Sequence, residues 1–389
     1  RAENLVITDE ELAVHRAPIP QAHALFGARH YGRYQFMLPA VVRPGYHRIA
    51  VPALGCTSHL IVGPARCHVP EALQQGGRCW GLAVQLYSLR SGHDWGIGDF
   101  GDLAVLARAA GEAGAAFIGL NPLHARHLAW PDEASPYSPS SRLFLDPLYI
   151  AVAEAPGYFT CPAAQRLVED PAFTQQLATA RHAKLVDYAA VTALKLPVLQ
   201  ALHHHFRNEG DGAAAAAFAA FCAQGGAALS RFAEFEALRL AAPLERGRCG
   251  PWRDWSAEWR EAHSAVRQAF REDEAEAIQF QCWLQWVAAT QLENAAAAAH
   301  AAGMRIGLYR DLAVGAARDS AETWSDPDLF APGISVGAPP DMLNRQGQSW
   351  GLPPWNPPAL AQQGYLAFRQ LLAANMRAAG ALRIDHVMA

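Results

Sequence analysis

The chain has 389 residues, of which 51% are hydrophobic and 17% charged, a balance that excludes a disordered polymer and leaves ample apolar material for a core. At roughly 150 residues per domain it holds two to three domains, or one large α/β barrel with an appendage. The formal net charge of −4, without any cluster of Lys and Arg, argues against nucleic acid as a partner. The longest apolar run, Ala213 to Ala223, falls short of the ~18 residues that span a bilayer, so no membrane partner is expected. Seven scattered cysteines (Cys56, Cys67, Cys79, Cys161, Cys222, Cys249, Cys282) form no C-x-x-C pair, which predicts a cytoplasmic setting and neither a metal nor a redox cofactor.

Residues 1–75 alternate short apolar runs with turn residues: Tyr34 to Leu38, a Pro44-Gly45 turn, Tyr46 to Val51 and His59 to Val62. They predict a small N-terminal β domain without catalytic residues.

From Trp80 the rhythm changes to strands alternating with helices, the pattern of a parallel sheet. Leu82 to Ser88 is the first predicted strand. Asp99 caps a helix with Leu103, Leu106 and Ala110 on one face, ended by Gly114. Ala116 to Leu120 is the second strand. Residues 124–273 then interrupt the pattern as a loop and helical insertion, in which Ala213 to Ala223 reads as a buried or packed helix. A helix over Glu274–Ala302 carries Ile278, Cys282, Trp286 and Ala289 on one stripe and stops at Gly303 before the third strand, Met304 to Ala313. A Pro-, Gly- and Trp-rich loop fills about 315–356, and a loop of that length is usually functional. A helix over Ala359–Ala379 shows Phe368, Leu371, Leu372 and Met376 on one side and leads to the fourth strand, Ala381 to His386. An eight-stranded barrel needs four more βα units, so the sequence reads either as an open four-stranded sheet or as the first half of a barrel.

Two motifs carry less than their patterns suggest. Gly96-Ile97-Gly98-Asp99-Phe100-Gly101 matches G-x-G-x-x-G, but it begins some seven residues past the strand, and the second strand ends in Asn121-Pro122 without an acid for a ribose. A structural turn is expected there. His203-His204-His205 cannot share one ion, because consecutive helical residues point about 100° apart.

Acidic residues at the ends of strands three and four say more, since the carboxyl ends of parallel strands are where such folds place chemistry. Asp311, Asp319 and Asp385 are the candidates. Asp385 at the tip of an apolar strand needs a partner to stay ionised, and Arg383, two residues earlier on the same side, supplies one. Tyr137 in Ser135-Pro136-Tyr137, Trp324, Gln348 and Trp350-Gly351 collect towards the same end, where flat aromatic faces and amides suit pyranose rings.

This string of motifs resembles the 4-α-glucanotransferases, or amylomaltases, of glycoside hydrolase family 77 in the α-amylase superfamily. The pieces that carry it are Asn121-Pro122-Leu123-His124, Ser135-Pro136-Tyr137-Ser138, Asp311 through Asp319-Ser320-Ala321-Glu322-Thr323-Trp324, Gly337-Ala338-Pro339-Pro340-Asp341, Gly347-Gln348-Ser349-Trp350-Gly351 and Arg383-Ile384-Asp385-His386. The resemblance implies a (β/α)8 TIM barrel with helical insertions, only its first half present in residues 76–389, preceded by an accessory domain over 1–75. It makes Asp385 the nucleophile of a retaining double displacement, with Arg383 holding it ionised. Tyr137 and Asp319 are placed on the donor sugar, and Asp341, Gln348 and Trp350 on a loop over the cleft. Leu312-Ala313-Val314-Gly315 departs from the family's usual Pro-aliphatic-aromatic stretch. The family's acid/base Glu and its further Asp are expected from later strands, so a polypeptide ending at Ala389 is expected to be inactive. The implied activity is transfer of α-1,4-glucan segments between maltooligosaccharides without a cofactor. An α-glucan hydrolase and a catalytically incomplete glucan-binding protein are the alternatives.

Overall fold

A computed structural model describes residues 5–9, 12–16, 19–26, 29–35, 43–52, 55–241, 250–331 and 333–387. The part of the Tyr34 to Leu38 run beyond Gln35 and the cysteine at position 249 lie outside the described residues. The chain divides into two compact units, 1–74 with Pro358–Leu366 and 75–357 with 367–389.

The first unit contains β1 (Leu5–Asp9), β2 (Leu12–Arg16), β3 (Ile19–Phe26), β4 (Arg29–Gln35), β5 (Gly45–Val51) and β6 (Cys56–Val62). They form a four-stranded antiparallel sheet, ordered β2-β1-β5-β6, and a separate β3-β4 pair. Gly45 opens β5, where a turn was expected, and pairs with Val62 at the far end of β6.

The second unit is built on a parallel sheet of four strands, β7 (Gly81–Val84), β8 (Phe117–Leu120), β11 (Gly307–Leu312) and β14 (Ala381–Ile384), which neighbour one another in chain order. All four are shorter than the apolar runs suggested. Val84 ends β7, and Leu86–Ser88 turns into a single 3-10 coil, whose first N–H is captured by Asn121 Oδ1 at 2.7 Å. Between β8 and β11 lie β9 (His124–Ala125) and β10 (Ser141–Leu145), an antiparallel pair.

Helix α1 (Phe100–Glu112) starts at Asp99, whose side chain accepts from Gly101 N and Asp102 N while Asp102 returns a bond to the Asp99 N–H. That capping box settles the glycine motif. The N–H groups a phosphate would need are taken by Asp99, and a side chain on Gly98 would lie 2.2 Å from Leu86 O. The motif is a tight structural turn.

The insertion carries α2 (Pro162–Glu169), α3 (Pro171–His182), α4 (Tyr188–Glu209), α5 (Gly212–Leu240), α6 (Ala257–Arg260) and α7 (Ala265–Asp273). The three histidines on α4 diverge as expected: His203 packs on Phe280 and Trp283, while His205 reaches out to Thr160 and Glu209.

Two expectations for α5 need correction. Its Ala213 to Ala223 segment is mostly exposed, with Phe218 the buried exception, because the C-terminal half of the helix does the packing: Phe232 to Leu238 are all buried. Counted through the break at Gly226, the helix also runs 29 residues and holds an 18-residue window of mean hydropathy 1.4, enough by length and composition alone to cross a bilayer. The eleven-residue run understated it, because apolar residues continue past Gln224-Gly225-Gly226. At Gly226 the backbone leaves helical geometry (φ 50°, ψ −142°), which only glycine adopts readily.

Helix α8 (Ala275–Ala301) is buried around much of its circumference, where the sequence suggested one stripe. The missed face is held by glutamines. Gln285 bonds both N–H and C=O of Leu145, and Gln291 does the same for Ala151, each amide standing in for a strand partner. The loop expected over 315–356 holds α9 (Ala321–Ser325) and a hairpin of β12 (Gly337–Ala338) and β13 (Gln348–Ser349). The final helix is split into α10 (Pro357–Gln362) and α11 (Leu366–Met376), because Gly364 and Tyr365 both take positive φ. Leu371 and Asn375 are its buried residues; Met376 is exposed.

Candidate active site

The register of the parallel sheet sets the site. Asp311 on β11 is paired with Arg383 on β14, and Leu312 with Ile384, so the carboxyl ends of two neighbouring strands bring their polar side chains to one edge. Arg383 Nε stands 3.6 Å from Asp311 Oδ1, and its Nη2 stands 4.0 Å from Asp385 Oδ2. Arg383 therefore lies between two carboxylates. Asp311 is buried and Asp385 exposed. Burial raises the Asp311 carboxyl above its ordinary range; Arg383 opposes that rise and Asp385 adds to it. Tyr137 faces the same group, its phenol raised by burial and then by the charge of Asp311.

The strand end at Asp311 is clamped from two sides. His124 Nε2 accepts the Ala313 N–H at 3.1 Å. Burial, followed by the charges of Arg310 and Arg142, holds that imidazole well below its usual pKa, so it stays neutral and able to accept. Arg142 Nη1 donates to Val314 O at 2.8 Å, and its other nitrogens grip Glu322, with Nη2 to Oε1 at 2.6 Å. The departure at Leu312-Ala313-Val314-Gly315 is thus a fixed turn.

Over this edge lies the β12-β13 hairpin. Gly337 lets the two strands close, since a Cβ there would meet Gln348 O at 1.9 Å. Trp350 follows β13, donates from Nε1 to Gln348 Oε1 at 3.0 Å and sets its ring edge-on to His386, centroids 4.9 Å apart. The hairpin is therefore in contact with the residue next to Asp385. Asp341 is used within its own turn, accepting from Leu343 N at 2.8 Å and Asn344 N at 2.6 Å.

Asp319 is not brought to this group. Its Oδ2 pairs with Arg239 and its Oδ1 accepts the Trp252 N–H at 2.6 Å, so both carboxylate oxygens hold the insertion. Arg239 in turn is ringed by Trp130, Phe235 and Trp255. Asp311 takes the place beside Arg383 that the motif reading gave to no residue. The signal that favours it is its position on the strand itself, against seven residues past its end for Asp319.

The sequence model of the family described as 4-alpha-glucanotransferase matches residues 84–389. A 4-alpha-glucanotransferase of Haemophilus influenzae is 40% identical over 336 residues, 85% of this chain and 48% of that protein. One from Mycobacterium bovis is 38% identical over 369 residues, 92% of this chain and 49% of its own length. The chain thus spans about half the length of the curated relatives it matches. The crystal structure of amylomaltase from Corynebacterium glutamicum superposes with a TM-score of 0.78 at 31% identity, covering 99% of this chain and 52% of that one. The fold is accordingly an α/β glycoside hydrolase fold, and the chain belongs to the 4-alpha-glucanotransferase family, glycoside hydrolase family 77.

Proposed function

We propose that the whole protein is a 4-α-glucanotransferase that moves α-1,4-glucan segments between maltooligosaccharides by retaining double displacement. The observation that carries this reading is the convergence of Asp311, Arg383 and Asp385 at the carboxyl ends of adjacent parallel strands, beneath a hairpin bearing Gln348 and Trp350. Asp385 is the nucleophile: it is the exposed carboxylate of the group, with Arg383 Nη2 4.0 Å from its Oδ2. Attack on the anomeric carbon breaks the glycosidic bond and leaves a β-glucosyl ester, while a second carboxyl ~5 to 5.5 Å away protonates the departing oxygen.

Tyr137 stacks or bonds on the donor sugar. Trp350 and Gln348 close over the intermediate so that the 4-hydroxyl of another glucan, not water, takes the segment. The chain-order adjacency of four parallel strands supports their belonging to a (β/α)8 barrel, with 1–75 as an accessory β domain. The scattered cysteines, without a C-x-x-C pair, favour a cytoplasmic setting.

The test is incubation of the purified protein with maltotriose and chromatography of the products. Glucose together with chains longer than maltotriose establishes transfer. Shorter products alone indicate hydrolysis, and an unchanged substrate peak overturns the reading for the polypeptide assayed.

A further inference from the structure

On the insertion, α6, α7, α9 and the turn at Trp252 surround a cavity of about 510 Å³ whose lining includes four arginines, Arg231, Arg253, Arg260 and Arg267. That size falls within the ~300–1,000 Å³ of small-ligand pockets. Trp252, Trp324 and Ser325 complete its polar wall, and among the described residues no Asp or Glu lines it.

The hydrogen-bond inventory of this wall is one-sided. An Arg side chain offers five donors and no acceptor, and indole offers one donor. Among the described residues, two of these donors are buried without a hydrogen-bond partner: Arg253 Nη2 and Trp324 Nε1. Four guanidinium groups against the single Ser325 hydroxyl leave the lining with a surplus of donors, which a ligand made of acceptors matches.

The charges agree. Arg267 is neutralised from behind by Glu234, Nε to Oε1 at 2.8 Å, and Asp326 attracts Arg231. Arg253 has less compensation. Its Nη1 donates to the Arg318 carbonyl, its guanidinium lies 4.3 Å above the Trp252 ring, and burial followed by repulsion from Arg318 outweighs the pull of Asp319 and lowers its pKa. Arg260 is exposed, with no carboxylate at ion-pair distance among the described residues. Arginines that approach from separate elements match the three or four oxygens of a tetrahedral oxyanion better than the two coplanar oxygens of a carboxylate.

We propose that this cavity binds a phosphoryl oxyanion, free or carried on a sugar, at a site separate from the Asp311–Arg383–Asp385 edge.

The experiment is calorimetric titration of the full chain with inorganic phosphate, a hexose 6-phosphate and acetate at matched ionic strength, repeated on Arg253→Gln and Arg260→Gln. Saturable phosphate binding is expected, with acetate inert and each variant about tenfold weaker for loss of one charge-assisted contact. A hexose phosphate that binds more tightly than phosphate identifies a sugar-borne group; equal affinity identifies the free anion. Arg260 is on the surface, so its variant tests the site even where Arg253→Gln perturbs folding. No saturation up to about 10 mM phosphate, acetate equal to phosphate, or Arg260→Gln indistinguishable from the parent overturns the proposal. Maltotriose transfer is assayed in parallel on unliganded protein, so failure of anion binding is read independently of the catalytic reading.

Discussion

Asp311 Oδ1 lies 3.6 Å from Arg383 Nε, and the two are register partners on adjacent parallel strands. Because Arg383 also stands 4.0 Å from Asp385, one guanidinium is shared between a buried carboxylate and an exposed one. The buried partner fixes where the arginine sits, and the exposed partner is the one open to solvent.

Replacing Asp311 by Asn keeps the shape and removes the charge. Arg383 then turns its full field on Asp385, which makes that carboxylate a poorer nucleophile. A fall in kcat of at least about tenfold, with KM little changed, is expected from steady-state kinetics on maltotriose. Since burial raises the Asp311 carboxyl, its protonation also contributes to the acid-side loss of activity, and that limb flattens in the variant.

In the whole protein, Asp385→Asn is expected to abolish transfer while leaving maltooligosaccharide affinity nearly intact, because the amide still fits but cannot form the ester. Calorimetric binding beside a product assay checks it. Turnover above about a hundredth of normal refutes the assignment.

Glu322→Gln strands Arg142 in the interior with its charge unpaired. Breaking a buried pair this way costs roughly 3–5 kcal/mol, read as a lower urea midpoint. The same change loosens Ala313–Val314, which Arg142 holds, so activity in the surviving folded fraction falls as well.

Glu236 gives a pH signature. Its carboxyl is fully buried against Ser140 Oγ at 2.6 Å, and burial pushes its pKa from 4.5 up to about 7, against the bond from Ser140 and the charge of Arg239. The folded state holds this proton more tightly than the unfolded one. The contribution is therefore intact below about pH 4.5 and lost as pH rises through 7, a swing on the order of 3 kcal/mol. Glu236→Gln accepts the same hydroxyl without that loss. Denaturation at pH 5 and pH 8 is expected to show the variant near the parent at the first and more stable at the second.

The parallel sheet was legible from the sequence because its strands are apolar runs closed by glycines and a capping aspartate, all local signals. The lengths were not, since a strand ends where its hydrogen-bond partner ends: β7 stops at Val84, and Asn121, thirty-five residues beyond Leu86, takes the Leu86 N–H. The burial of α8 escaped for a related reason. Gln281, Gln285 and Gln291 look like a solvent face until Leu145 and Ala151 arrive to be bonded.

At the site, Arg383 and Asp385 were expected as a same-side pair on one strand, a period-two relation that needs no tertiary knowledge; β14 ends at Ile384, so Asp385 stands one residue past it, with Arg383 4.0 Å away. Asp319 and Asp311 could not be ranked without tertiary knowledge. Both are aspartates near the end of one strand, and the difference is that Arg239, from an insertion helix eighty residues earlier, claims Asp319. Nothing in the composition around Asp319 announces that partner.

The break at Gly226 has an evolutionary consequence. In an unbroken helix, one added residue rotates everything beyond it by about 100°, so the alanine-rich half and the half bearing Phe232 to Leu238 would have to change together. With helical phase reset at Gly226, insertions or deletions ahead of it leave Glu234 and Glu236 aimed at Arg267 and Ser140. The exposed half of α5 is thereby free to change in length and register while the half bearing Glu234 and Glu236 keeps its contacts.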